Sequence, residues 1–77
     1  MNTVVIDCRR LLCPMPVIRV QDRVEQLPPA TRVQAVCTDP GVLKDIPAWC
    51  RINGHKVIET RQIDNEFIVV LEVGGSD

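Results

Sequence analysis

Apolar residues in this chain recur at two different spacings, and the alternation between them leaves few folds open. Val17, Val20, Val24 and Leu27 fall at i, i+3, i+7 and i+10, one face of a helix, with Arg19, Asp22, Arg23 and Gln26 on the opposite face. Val33, Ala35 and Cys37 alternate along Arg32 to Thr38, the period of a strand with one buried face. Thr3-Val4-Val5-Ile6 is β-branched throughout and reads as an earlier strand, ending in a polar turn from Asp7 to Arg10. Pro28-Pro29 stops the first helix, because proline disfavours helical geometry in the residue before it.

Asp39-Pro40-Gly41 predicts a second helix start, with Asp as the cap and Pro at the first helical position. Pro47 is expected to interrupt that helix, with Asp45 capping a restarted segment from Ile46 to Ile52, and Asn53-Gly54 ends it. His55 to Gln62 and Phe67 to Val73 read as two further strands joined by a hairpin turn at Asp64-Asn65. Residues 73–77 are expected to be a flexible tail. The order β-α-β-α-β-β predicts an α/β two-layer sandwich, a four-stranded mixed sheet with two helices on one face. The first two strands should run parallel through a right-handed crossover and the last two antiparallel. The chain of 77 residues allows a single domain, 1–77. Trp49 and Phe67 are its aromatic residues besides His55, so the core is expected to be Val, Ile and Leu.

A net charge of −1 argues against autonomous nucleic-acid binding, which needs a basic face to neutralise phosphates. No apolar run approaches the ~18–20 residues of a membrane span. The first residues lack the basic and apolar regions of a signal peptide, so we expect the cytoplasm, where thiols are kept reduced. The four cysteines, Cys8, Cys13, Cys37 and Cys50, are then free thiols rather than a disulfide framework. Their irregular spacing and the single histidine argue against a metal site.

Cys13 stands out among them. It precedes Pro14-Met15-Pro16 where the first helix begins, and first-turn amides with the helix dipole favour a negative charge there. A thiol in that position is expected to have a lowered pKa. Placed at the N-cap, its sulfur could accept from the Met15 amide, since Pro14 and Pro16 have no N–H and stiffen the turn. The first 23 residues hold four of the nine basic side chains, Arg9, Arg10, Arg19 and Arg23, and only two of the ten acidic ones. A positive surrounding for Cys13 follows, suited to a thiolate or a persulfide. No base and orienting group accompany it, as a cysteine hydrolase requires; His55, after Asn53-Gly54, reads as a solvated turn residue.

Asp7-Cys8-Arg9-Arg10-Leu11-Leu12-Cys13-Pro14-Met15-Pro16 resembles the signature D-x-R-G-L-x-C-P-x-P of the TusA/SirA sulfur-carrier family. Asp39-Pro40 followed by Asp45-Ile46-Pro47-Ala48-Trp49-Cys50 resembles the family's D-P…D-I-P-x-[FW]-C segment. The resemblance spans essentially the whole chain. It implies the same two-layer sandwich, with Cys13 accepting sulfane sulfur as a persulfide and passing it on. Asp7, Arg9, Pro14, Met15, Pro16 and Cys50 become supporting residues, and Arg10, Arg19, Arg23 and Trp49 candidate partner contacts. No cofactor is implied beyond the covalent sulfur.

The family's partners are a cysteine desulfurase or a rhodanese as donor and a DsrE-type relay protein as acceptor, towards 2-thiouridine in tRNA. Sulfur oxidation and molybdenum-cofactor supply are the other outlets, and neither direct nucleic-acid contact nor a dimer is required. The family glycine is Arg10 here, where glycine allows a positive φ or a close partner approach. Core packing is the preferred reading for Cys8, Cys37 and Cys50, and competes with partner contact for Trp49. Two alternatives remain. A ubiquitin-like sulfur carrier is suggested by Gly74-Gly75, but Ser76-Asp77 follow the glycines and the element order differs. A non-catalytic regulatory or interaction module would carry inert cysteines.

Overall fold

The computed structural model describes residues 3–75. Its elements come in the expected order: β1 Thr3–Cys8, α1 Met15–Val24, β2 Arg32–Cys37, α2 Val42–Asn53, β3 Lys56–Ile63 and β4 Glu66–Glu72. The strands form one mixed sheet in the order β1-β2-β4-β3. β1 and β2 are parallel, and β4 runs antiparallel to both β2 and β3. The short turn at Asp64-Asn65 makes β3 and β4 neighbours, and β4 takes the remaining edge of β2.

Register turns this order into a core. Val4, Val33 and Leu71 lie in one row across the sheet, Ile6, Ala35 and Val69 in the next, and Cys8, Cys37 and Phe67 in the last. These rows share one face, where Val20 and Val24 of α1 and Val42, Ile46 and Cys50 of α2 pack against them. Both helices therefore cover the same side. Each fully buried Val or Ile contributes about 1.5–3 kcal/mol. The helical stripe read from the sequence is the packed face of α1; Leu27 lies past the helix end but still packs on the core.

Three local expectations are corrected. First, Pro47 does not interrupt α2, which runs unbroken from Val42 to Asn53. A proline removes one backbone hydrogen bond, and the flanking Ile46 and Cys50, both 0% exposed, hold the helix to the sheet across that gap. Asp45 is therefore a residue of the first turn of α2, not the cap of a restarted segment. Gly41 is the N-cap, with Asp39 Oδ1 accepting its amide at 3.0 Å. Gly54, at φ +79°, closes the helix as its sequence position suggested.

Second, the chain remains held beyond β4. Val73 is buried, donates to Thr31 O at 2.9 Å and accepts from Ala30 N at 2.8 Å. The Gly74 amide donates to His55 Nδ1 at 2.9 Å, and a Cβ on Gly74 would collide with the carbonyl of Gly54. The expected tail thus starts later than Val73; its last two residues, 76 and 77, lie outside the described residues. Third, His55 is not a solvated turn residue. It is half-buried and stacked on Trp49, with ring centroids 4.9 Å apart.

Candidate functional site

The β1–α1 and β2–α2 connections meet at one end of the sandwich, because β1 and β2 are parallel and each leads into a helix on the same face. Cys8 and Cys37 end the two strands side by side. From there the β1–α1 connection turns sharply. Leu11 N donates to Cys8 O at 3.3 Å, and Arg10 takes φ +69° with its amide on Thr38 Oγ1 at 2.8 Å. This places Cys13 against the start of α2. The Cys13 amide donates to Asp39 Oδ2 at 2.9 Å, so the Asp39 carboxylate joins the two connections through Cys13 and Gly41.

Cys13 is exposed, whereas Cys8, Cys37 and Cys50 are buried. Its thiol donates to Asp45 Oδ2 at 3.0 Å. Two expectations fail here. Cys13 is not the N-cap: Pro14 occupies that position, and the Met15 amide donates to Leu12 O at 2.8 Å rather than to the sulfur. Nor is the thiol acidified. The hydrogen bond to Asp45 holds its pKa above the ordinary thiol value, with desolvation and the charges of Asp45 and Asp39 acting in the same direction. A helix dipole acts within the first turn, and Cys13 stands outside that turn while two carboxylates lie against it.

The positive surrounding expected from the sequence is also redistributed. Arg9 donates from Nε to Asp7 Oδ1 at 3.0 Å and from Nη2 to Oδ2 at 3.2 Å, and lies 3.7 Å from Glu66. Arg9 pulls the Asp7 carboxyl down to about 2. Arg19 Nη1 reaches the Asp7 carbonyl at 3.2 Å. Asp7, Arg9 and Arg19 thus form one surface network beside the thiol loop. Arg10 and Arg23 are exposed.

The remaining candidates separate by position. Pro14 and Met15 are exposed next to Cys13, but Pro16 is fully buried among the core side chains, and the Cys8 thiol points to its carbonyl at 3.9 Å. Cys50 packs in the core, where burial pushes its thiol up to about 11, and Cys37 is also raised, by its contact with Cys8 and by burial. Trp49 is half-buried and packed on the core. With His55, Leu27 and Gly74 it lines a cleft of about 400 Å³ between the ends of α1 and α2, away from Cys13.

Sequence reasoning missed two features. Asp39 and Asp45 read from sequence as helix caps, whereas in the fold Asp39 holds the Cys13 amide and Asp45 the Cys13 thiol. Leu12, Met15 and Ile18, close to Cys13 in sequence, are 74%, 46% and 42% exposed. The available signal was that all three lie off the Val17, Val20, Val24 stripe and so have no place in the core.

Fold and site together define a small two-layer α/β domain that presents one exposed thiol at the junction of two strand–helix connections. Residues 4–73 match the family model described as sulfurtransferase TusA. The sulfur carrier protein TusA of Pseudomonas syringae pv. tomato is 33% identical over 83% of this chain and 76% of its own length. That of Pseudomonas aeruginosa is 33% identical over 75% of this chain and 73% of its own length. The crystal structure of a SirA-like protein from Desulfitobacterium hafniense shares the fold with a TM-score of 0.82. It covers 94% of this chain and 99% of its own at 20% identity. The chain belongs to the TusA family. Among the described residues, no helix is long and apolar enough to cross a membrane.

Proposed function

We propose that this protein is a sulfur carrier that takes sulfane sulfur onto Cys13 as a persulfide and delivers it to a second protein. The observation that carries this reading is the exposure of Cys13 beside three buried cysteines, within a chain of the TusA family. Only an exposed thiol can meet the persulfide of a donor protein and later the thiol of an acceptor. The exposed apolar side chains of Leu12, Met15 and Ile18, close to Cys13 in sequence, offer either partner a surface to seal against, excluding water from a bond that is easily reduced or hydrolysed.

In this reading the protein is cytoplasmic and acts with partners rather than turning over alone. A cysteine desulfurase or a rhodanese supplies the sulfur, and a relay protein of the DsrE type accepts it. Thiolation of tRNA, oxidative sulfur metabolism and molybdenum-cofactor supply all use this same transfer. The net charge of −1 favours hand-off to a protein over direct contact with tRNA. The alternative, a regulatory module with inert cysteines, gives no role to a thiol left at the surface.

The test is direct. The protein is incubated with a cysteine desulfurase and cysteine, and its mass is read without reductant. The expected result is the gain of one sulfur atom, located on the peptide containing Cys13 and lost in Cys13→Ser. Loading that persists in Cys13→Ser overturns the assignment.

A further inference from the structure

We propose that Asp45 is the proton acceptor for Cys13 in sulfur loading, holding the thiol protonated and aimed until a donor persulfide arrives. The inference rests on the sulfur-carrier reading of Cys13 and adds a second residue to the site. Its basis is geometric: Cys13 Sγ donates to Asp45 Oδ2 at 3.0 Å. Asp45 is in turn fixed by the first turn of α2, where its amide donates to Gly41 O at 2.9 Å. The neighbouring Ile46 is fully buried and anchors that turn. The loop side is fixed as well, since Asp39 holds the Cys13 amide. Sulfur and carboxylate therefore each sit on a tethered backbone, which is what a directed proton transfer needs.

The charged groups around the thiol support the same assignment. Asp45 of α2 and Asp39 of the β2–α2 connection act on it, and both favour the neutral form. On the thiol's own side, Arg9 is bound to Asp7 and Glu66, and Arg19 to the Asp7 carbonyl. No base other than Asp45 makes a hydrogen bond to Cys13 Sγ among the described residues. A protonated thiol is a poor target for small oxidants, whose reaction requires thiolate. The carboxylate thus protects the unloaded carrier, and the same carboxylate can take the proton when a correctly placed donor approaches.

The step balances without any external oxidant or reductant. A donor persulfide, R–S–S–H, brings its outer sulfur to Cys13. As Sγ attacks that sulfur, the Sγ–H proton passes to Asp45, the Sγ–S bond forms and the donor S–S bond breaks. The electron pair of the broken bond leaves on the donor sulfur, which then takes the proton from Asp45. The products are Cys13–S–S–H and R–S–H, and sulfane sulfur has moved with no net change in oxidation state. Run towards an acceptor, the same exchange returns the proton to Cys13 Sγ.

Asp45→Asn keeps the size of the side chain and removes its charge and basicity. Two measurements are expected to move in opposite directions. Alkylation of Cys13 by iodoacetamide, followed against pH, should be several-fold faster at neutral pH because the thiol ionises more readily. Single-turnover sulfur loading from a persulfidated cysteine desulfurase should be slower by about 100-fold, the scale of a lost general base. Asp45→Glu, which retains a carboxylate, should recover part of the loading rate. Melting curves of each variant establish that the domain is folded.

Loading at the wild-type rate in folded Asp45→Asn, or alkylation that does not accelerate, overturns the role of Asp45 while leaving Cys13 as the sulfur site. Wild-type protein that takes no sulfur on Cys13 overturns the carrier function and this role together.

Discussion

Arg10 donates its backbone N–H to Thr38 Oγ1 at 2.8 Å while holding a φ of +69°. The hydrogen bond ties the end of β1 to the end of β2, and the turn it closes requires the left-handed region. A side chain with a Cβ costs about 1–2 kcal/mol there, whereas glycine enters it freely and loses about 0.5–1 kcal/mol through greater freedom in the unfolded chain. Arg10→Gly should therefore stabilise the domain by up to about 1 kcal/mol. Urea unfolding would show this as a higher midpoint at unchanged slope. A lower midpoint would mean that the Arg10 side chain contributes more than its backbone costs.

The same turn shows where sequence reading reaches its limit. The glycine of the resembling signature suggested a positive φ at this position, and the arginine adopts it, because the conformation is imposed by the strand–helix connection rather than chosen by the residue. The layers were legible for a related reason. The Val17, Val20, Val24 stripe and the Val33, Ala35, Cys37 alternation are local patterns, and local patterns report which face is buried. Strand order and the surroundings of Cys13 depend on contacts between distant segments. Asp39 and Asp45 lie 26 and 32 residues from Cys13 in sequence. A charge balance taken along the first 23 residues counted the nearby arginines and left out both carboxylates. The continuous path of α2 through Pro47 was hidden likewise, since its buried flanks, Ile46 and Cys50, outweigh one missing hydrogen bond.

Leu12, in the β1–α1 connection, and Ile18, on α1, are exposed, and their exposure predicts how donors dock. Replacing either with Ser should weaken binding to a cysteine desulfurase by about tenfold, the scale of an apolar interface residue, with little change in stability. The arginines give a contrasting expectation. Arg9 and Arg19 are already engaged with Asp7, so binding should respond less to salt than to loss of these exposed apolar side chains. Titration calorimetry at low and high salt separates the two contributions. Affinity that collapses with salt but is indifferent to Leu12→Ser and Ile18→Ser would place docking on the basic side chains.

Cys50 has no exposed surface on the inner face of α2, and burial pushes its thiol up to about 11. In the unfolded chain the same group ionises near 9, as an ordinary thiol does. The folded state therefore holds the proton more tightly. Its contribution is fully present below pH ~9 and is lost as pH rises towards 11, because only the unfolded chain gains from ionisation in that interval. At about 1.4 kcal/mol per pH unit, Cys50 accounts for roughly 3 kcal/mol of alkaline destabilisation. Cys50→Ala removes this share and leaves a small cavity, so the variant should be less stable at pH 7 and progressively closer to wild type at pH ~10. Urea unfolding under reductant at pH 7, 9 and 10 tests the sign. Stability curves that fall in parallel with pH would show that the Cys50 thiol reaches water in the folded protein and that its side of α2 opens before the domain unfolds.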